Sequence, residues 1–284
     1  MVPILAMSIL RSVGITRFAP SPTGYLHLGH AFSALFAARL GTGRFLLRLE
    51  DIDRTRCRPE YAAAILDDLT WLGLRWDGEV RVQSEHFGQY AQVLDGLRER
   101  RLIYPCFCSR AEIASSMAAP HGPDGAPIYP GTCRHLDRGL AAARIAAGDA
   151  HAWRLDMAAA LAEVDKIITY HELGQGTMVC DPARFGDVVL ARKDVPASYH
   201  LCVTHDDALQ GIDFVTRGID LQQATDVHRV LQELMGWPEP RYAYHQLMLG
   251  ADGKRLAKRD RSQTLRELRA TGVSTAEIRT MLGF

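Results

Sequence analysis

The 284-residue sequence lacks a net charge, because 33 lysines and arginines are matched by 33 aspartates and glutamates. Such a chain has no global positive field, so a nucleic-acid partner has to be held by local basic patches offset by acidic ones. Cysteine is scarce, at six residues. That is too few for a disulfide-built scaffold, and with no recognisable signal peptide the six are expected to be reduced thiols of a cytoplasmic protein. Long apolar runs are absent too, and none approaches the ~20 residues of a membrane-spanning helix. The apolar start, Met1 to Leu10, has no basic leading region and no small-residue cleavage site. It reads as a short leader strand, with Met7 an alternative initiator. No repeat recurs at a period of roughly 20–50 residues, which removes solenoids and propellers. What is present is ordinary for a folded protein: 47% hydrophobic and 23% charged residues, a balance that excludes disorder. At ~150 residues per domain, the length suits two domains or one domain with a large insertion.

Periodicity predicts alternating strands and helices in the first third. Ile15–Ala19 is an apolar strand that stops at the turn-forming cluster Pro20-Ser21-Pro22-Thr23-Gly24, and Gly29–Leu40 has helical spacing. Arg44–Leu49 is a second strand, ending in Glu50-Asp51-Ile52-Asp53. Pro59 suits the first turn of a helix reaching Leu72, and His86–Arg101 fits another. This order predicts an α/β fold with a parallel sheet. Between Tyr104 and Val195 the pattern breaks into paired cysteines, a Pro/Gly-rich stretch, an Ala-rich helix, and short strands at Trp153–Leu155, Lys166–Tyr170 and Phe185–Leu190. An inserted subdomain is the expectation, because α/β order then resumes: a helix over Tyr199–Leu209, a strand over Phe214–Arg217, a helix over Ala224–Met235 and a strand over Tyr242–Leu249. A basic loop, Ala251–Arg261, and two short helices complete the chain. The domains expected are residues 12–103 and 196–240 as two halves of one catalytic unit, 104–195 as the insertion, and 241–284 as a loop with a short helical end.

The densest chemistry is Arg17-Phe18-Ala19-Pro20-Ser21-Pro22-Thr23-Gly24-Tyr25-Leu26-His27-Leu28-Gly29-His30. A helix start exposes unpaired N–H groups and a partial positive charge, which suit phosphate. His27 and His30 share one side of the first turn. Gly29 lets a flat base or ribose approach the backbone, and two imidazoles there could donate to a phosphate whose charge grows during displacement. An isolated H-x-x-H is more often a pair of surface or core histidines. The whole string, however, closely resembles the opening of class I aminoacyl-tRNA synthetases of the glutamyl type, whose R-F-A-P-S-P-T-G leads into the so-called HIGH motif, here His27-Leu28-Gly29-His30. Arg48-Leu49-Glu50-Asp51-Ile52-Asp53, Ser198-Tyr199-His200-Leu201 through Asp206-Asp207, and Thr216-Arg217-Gly218-Ile219-Asp220 resemble later parts of the same catalytic domain.

This resemblance implies a Rossmann-type parallel-sheet catalytic domain with an inserted zinc-binding subdomain and a short helical C-terminal segment. It also implies adenylate formation from L-glutamate and ATP with Mg²⁺. ATP would meet His27, Gly29, His30 and Lys258, with His27, His30 and Lys258 catalytic. Glutamate would meet Arg17, Phe18, Ala19, Pro20, Ser21, Glu50, Tyr199 and Arg217. Within that set the arginines take carboxylates, as their planar forks suit, and Glu50 faces the ammonium. Taken alone, Arg217 and Glu50 would read as surface salt-bridge residues and Tyr199 as core packing. The family's second phosphate loop, K-M-S-K-S, is altered here to Arg255-Leu256-Ala257-Lys258-Arg259. Lys258 remains, and Lys254, Arg255, Arg259 and Arg261 surround it, although a solvated basic loop has the same composition.

Cys106, Cys108 and Cys133 form a cluster of the kind that holds structural Zn²⁺ in a reducing compartment, and the residues leave the fourth ligand open among His121, His135 and Tyr129. Ile128-Tyr129-Pro130-Gly131-Thr132-Cys133 resembles the Y-x-G-x-C element of short glutamyl-synthetase paralogues, which implies Tyr129, with His135 second. Only 26 residues follow Lys258, whereas a full glutamyl-tRNA synthetase continues there into helical anticodon-reading domains. The short paralogues lack these domains and place glutamate on queuosine, the modified wobble base of tRNA(Asp). A monomer working on queuosine-containing tRNA(Asp) is therefore the expectation, with Arg110, Arg134, Arg138 and Arg192 candidates for its basic face. Two alternatives use the same residues. One is a catalytic fragment that charges the tRNA 3′ end, and the other a non-catalytic paralogue that binds glutamate or a nucleotide.

Overall fold

Strand β1 (Thr16–Phe18) is flanked by β2 (Phe45–Leu49) on one side and β9 (Phe214–Gly218) on the other, and both pairings are parallel. All three are buried almost throughout, so besides their apolar residues they bury Thr16 and Arg17 of β1, Arg48 of β2, and Thr216 and Arg217 of β9. The computed structural model describes residues 14–41, 43–115, 121–123, 125, 127–248 and 263–284. Adding β3 (Arg81–Val82), β10 (Arg241–His245), β6 (Thr169–Glu172) and β7 (Gly176–Val179) gives a seven-stranded sheet in the order β3-β2-β1-β9-β10-β6-β7. Every neighbour pair is parallel except the β6–β7 hairpin. Strands β4 (Ile103–Cys106), β5 (Ala152–Leu155) and β8 (Val189–Ala191) form a separate antiparallel sheet. The interval 104–195 thus serves both sheets.

Helices α1 (Leu28–Leu40) and α2 (Pro59–Trp71) pack on the main sheet through Ala31, Ala34, Leu35, Ile65 and Leu69. The same apolar cluster takes Leu265 and Leu268 from α9 (Leu265–Ala270) and Ile278 and Leu282 from α10 (Thr275–Leu282). The chain end is therefore docked rather than trailing. A second core joins α3 (Phe87–Glu99), α6 (Met157–Val164), α7 (Tyr199–Leu209) and α8 (Thr225–Met235) to the small sheet through Tyr90, Leu97, Leu155, Leu190, Leu201 and Leu231. Two shorter helices, α4 (Arg110–Ser115) and α5 (Arg138–Ala146), flank the cysteine segment. Among the described residues, no helix is long and apolar enough to cross a membrane.

Three strand expectations shift. The strand expected at Lys166–Tyr170 runs over Thr169–Glu172, because Ile167 is 78% exposed and lies before the pairing with β7 begins. The one expected at Phe185–Leu190 opens as a 3₁₀ turn, Pro182–Phe185, and becomes β8 only at Val189. Gly186 intervenes at φ +59°, and a Cβ there would lie 2.7 Å from Ile128 Cγ2, so the chain turns sharply against the segment that carries Tyr129. The last strand stops at His245 instead of continuing towards Leu249, the latter lying outside the described residues.

Candidate active site

The loop between β1 and α1 is tied to its surroundings by backbone bonds from Glu50 N to Pro20 O (3.0 Å) and from Arg58 N to Pro22 O (3.0 Å). It delivers His27 as the N-cap of α1. His27 Nδ1 accepts from Gly29 N (3.1 Å), and His30 Nδ1 accepts from His27 N (3.2 Å), a reciprocal capping box built from two imidazoles. With each Nδ1 accepting a backbone N–H, each ring carries its proton on Nε2, which makes Nε2–H a donor on both histidines. The rings lie 3.9 Å apart. A Cβ on Gly29 would lie 3.0 Å from the His27 ring, tighter than an ordinary contact, so glycine relieves crowding at this cap.

A cleft of about 510 Å³ opens at this helix start, across the carboxyl ends of β1, β2 and β9. Its lining includes Arg17 through Ser21, His27, Gly29, His30, Glu50, Tyr199 and Arg217, together with Ser33, Asp220 and His245. Ligands of parallel sheets gather at this end, outside the strands' carboxyl termini.

Beneath the cleft lies a buried ion network. Arg17 meets Asp207 with Nε–Oδ1 at 2.8 Å and Nη2–Oδ2 at 3.1 Å, while its Nη1 donates to Thr216 O. Arg48, fully buried, donates to Asp207 Oδ1 (2.8 Å), Gln210 Oε1 (3.0 Å) and Glu50 Oε1 (3.1 Å). Arg81 pairs with Asp206 at 2.8 Å, and Asp206 also accepts from Gln83 and Tyr90. Arg17, Arg48 and Arg81 thus stand against Glu50, Asp206 and Asp207, a balanced set. Burial pushes the Asp207 carboxyl up, but Arg17 and Arg48 outweigh it and hold the group below the usual carboxylate range. For Glu50 burial wins, and its proton affinity is raised despite Arg48 and Arg17.

Arg217 lies outside that balance. Its Nη1 donates to His228 Nδ1 (3.0 Å) and its Nη2 to Thr225 Oγ1 (2.8 Å), and the Tyr242 and Tyr244 rings lie within 5.9 Å. Among the described residues its polar partners are all neutral, and its buried Nε has no hydrogen-bond partner. The Tyr199 phenol beside it is pushed up by burial, an effect that Arg217 only partly offsets.

The cysteine cluster is separate from the cleft. The Sγ atoms of Cys106, Cys108 and Cys133 all lie within 4.8 Å of one another, and Cys108 Sγ to Cys133 Sγ is 3.6 Å. Zn–S bonds of about 2.3 Å in a tetrahedron place sulfurs about 3.8 Å apart, so the spacing fits a zinc ion. The Tyr129 hydroxyl is 3.5 Å from Cys108 Sγ and accepts from Cys133 N at 2.8 Å. Both His121 and His135 are exposed, and among the described residues no histidine joins the thiols. Asp187 braces the surrounding fold by accepting from Arg134 Nε (2.8 Å), Met157 N (3.0 Å) and the Tyr104 hydroxyl.

The family described as tRNA synthetases class I (E and Q), catalytic domain, matches residues 14–283. A Rhodobacter capsulatus protein named glutamyl-Q tRNA(Asp) synthetase is 48% identical over 95% of this chain and 99% of its own length. An Aquifex aeolicus glutamate–tRNA ligase is 37% identical over 90% of this chain but 54% of its own. The chain belongs to the glutamyl-Q tRNA(Asp) synthetase family. Among solved structures, a glutamate tRNA ligase from Elizabethkingia meningosepticum, in complex with its amino acid, superimposes with a TM-score of 0.73 at 28% identity. The match covers 88% of this chain and about half, 52%, of that one. The α/β class I catalytic fold read from the sequence is the fold found. Family membership makes the chain an ATP-using ligase.

Set against what the glutamyl-Q family resemblance implied, the cleft gathers every described residue expected for ATP and glutamate, which come from β1, α1, β2, α7 and β9. Lys258 and the rest of the Lys254–Arg261 loop lie outside the described residues, but the chain enters that loop from Met248, on the cleft lining, and leaves it at Thr264, which bridges His27. The sequence reading assigned no role to Arg48, Asp206, Asp207, Thr225, His228 or His245. Arg48 and the two aspartates stood inside quoted motifs, and an isolated buried histidine such as His228 has no sequence signal. Two arginines proposed for a basic face are engaged internally, Arg134 with Asp187 and Arg192 with Asp53 and Asp194.

Proposed function

We propose that this chain activates L-glutamate with MgATP to glutamyl-adenylate and then transfers the glutamate to the queuosine base of tRNA(Asp). The observation that carries the reading is the pairing of charge around the cleft. Arg17, Arg48 and Arg81 are paired with Glu50, Asp206 and Asp207, whereas the hydrogen-bond partners of Arg217, His228 and Thr225, are neutral, and Asp220 is a further carboxylate on the lining. Glutamate brings two carboxylates and one ammonium, and an arginine met only by neutral groups suits one of those carboxylates. Glu50 takes the ammonium, and Arg17 and Arg217 take carboxylates, with Phe18, Ala19, Pro20, Ser21 and Tyr199 shaping the pocket.

In the reaction a glutamate α-carboxylate oxygen attacks the α-phosphorus of ATP in line, the bond to the bridging oxygen breaks, and pyrophosphate leaves with that electron pair. No protein nucleophile is needed, so positioning and charge stabilisation supply the catalysis. The Nε2–H donors of His27 and His30 face the phosphate chain, Gly29 admits the nucleotide, and Lys258 meets the departing pyrophosphate. The catalytic unit for this work is 12–103 with 196–240, to which the 104–195 insertion lends β6 and β7, and the 241–284 segment lends β10. The glutamyl-Q names of the relatives at 40–48% identity support queuosine as the acceptor.

The test is transfer of labelled glutamate onto two bulk tRNA pools, one containing queuosine and one from cells unable to make it. Label is expected on the queuosine pool alone, and it should still appear when the 3′ diols have been oxidised before the reaction under conditions that spare the queuosine diol. Equal labelling of both pools, abolished by that prior 3′ oxidation, would replace the reading with acceptor-end charging.

Zinc belongs to the same proposal, held by Cys106, Cys108, Cys133 and Tyr129, where it would brace the insertion without touching substrate. Elemental analysis is expected to find close to one zinc per chain, lost in Cys133→Ser. Chelation is expected to lower the thermal midpoint. A metal-free chain with an unchanged midpoint would remove zinc from the account.

A further inference from the structure

Arg217 is held by groups chosen for what they do not carry. An arginine in a protein interior is ordinarily met by a carboxylate, as Arg17 and Arg48 are met by Asp207. Arg217 instead leans on an imidazole and a threonine hydroxyl, both buried, on the first turn and a half of α8. A guanidinium only donates, so the His228 Nδ1 facing it has to be an acceptor and the ring proton sits on Nε2. That Nε2 lies 3.1 Å from His200 Nδ1 and donates to it, which fixes the second ring in the same tautomer. The relay runs in one direction, Arg217 to His228 to His200, and no member of it has to be charged except the arginine. Burial and the nearby Arg217, His200 and Arg17 all hold the His228 imidazole well below its ordinary proton affinity, in keeping with a neutral ring. Thr225, the other support, also meets the Tyr244 hydroxyl, again a neutral partner.

We infer that His228 is a positioning residue that aims Arg217 into the cleft while leaving its charge unspent, and so sets the preference for a substrate whose side chain ends in a carboxylate. The inference rests on the proposed activation of glutamate. During adenylation the α-carboxylate loses its charge to the new anhydride bond, whereas the side-chain carboxylate stays ionised throughout. An uncompensated cation is therefore best placed on the side-chain group, where its stabilisation persists from binding to transition state. Against glutamine, the amide analogue of the same shape, the same cation would be buried without an anion, and that penalty is the source of discrimination. A carboxylate at position 228 would compete with the substrate for Arg217. It would be a better structural partner for the arginine and a worse one for function.

That opposition gives the test. ATP–pyrophosphate exchange is measured with glutamate and with glutamine for the unmodified chain, His228→Asn and His228→Asp. Asparagine keeps a neutral acceptor near the Nδ1 position, and its glutamate-to-glutamine ratio of kcat/KM is expected to stay within about threefold of the unmodified value. In His228→Asp the ratio is expected to fall by roughly 10²-fold or more, through a raised glutamate KM with the ATP KM unmoved. The ratio is internal to each preparation, so a smaller folded fraction does not disturb it. If His228→Asp does not fold, Thr225→Asp brings a carboxylate to Nη2 instead and carries the same expectation. An unchanged ratio in the aspartate variant, or equal losses in the aspartate and asparagine variants, would overturn the inference and leave glutamate activation standing. Absence of glutamate-dependent exchange in the unmodified chain would overturn the functional reading itself.

Discussion

Replacing His30 by alanine slows glutamate-dependent ATP–pyrophosphate exchange by an expected ~10²-fold or more, the usual effect of losing a preorganised donor to a developing oxyanion. The size of the effect follows from the division of labour in the ring. Nδ1 accepts from the backbone N–H of His27, at 3.2 Å, which puts the ring proton on Nε2, the atom proposed to donate to phosphate. Alanine removes both functions at once, and loss of the cap alone costs about 1 kcal/mol of helix stability. His30→Gln separates them, because glutamine at this third helical position can still reach back to the cap N–H, as in ordinary capping boxes. It is therefore expected to melt like the unmodified chain and still lose most of its exchange rate. Wild-type exchange in the alanine variant would put the phosphate site elsewhere. Exchange restored in full by glutamine would make the histidine a cap and nothing more.

The largest expected loss of stability comes from Arg48→Leu, at about 3–5 kcal/mol, the usual cost of removing one partner from a buried ion network. Arg48 is fully buried and contacts Asp207 and Glu50 directly, with Asp206 3.9 Å away. Its removal leaves three carboxylates facing two arginines, with Asp206 and Asp207 buried too deeply for solvent to offset the excess. The Glu50 carboxyl is already raised by burial, and Arg48 is the largest influence holding it down. Without Arg48 the Glu50 proton is bound more tightly still, so the anion proposed for the substrate ammonium is weakened along with the stability. Urea unfolding would show the first effect as a lower midpoint, and a raised glutamate KM would show the second. A midpoint shift worth less than about 1 kcal/mol would mean that the network is solvated and that the charge pairing used here does not hold. Lysine is expected to rescue little, since one ammonium cannot reproduce the forked contacts to Asp207, Gln210 and Glu50.

Much of the candidate site was legible along the chain because its chemistry is local. The strand, turn and helix start that bring Arg17, Gly29 and both histidines together occupy one uninterrupted stretch, and proline, glycine and apolar spacing mark each boundary. The Cys106, Cys108 and Cys133 set was likewise readable from spacing. Strand ends were less so. Whether Lys166 or Thr169 opens β6 depends on where a partner strand begins, and β7 is that partner.

The sequence alone determined the class of fold, the helix start proposed to meet phosphate and the residue types around the cleft, since each of these is written in neighbouring residues. The tertiary structure alone decided how the charges are spent. Asp207 meets Arg17 and Arg48 across 190 and 159 residues of chain, and the support of Arg217 by His228 becomes visible only once β9 and α8 have packed. Composition counts charges and cannot pair them. Pairing needs two groups within about 4 Å in a place without water, and the packing of the sheet against its helices sets both conditions.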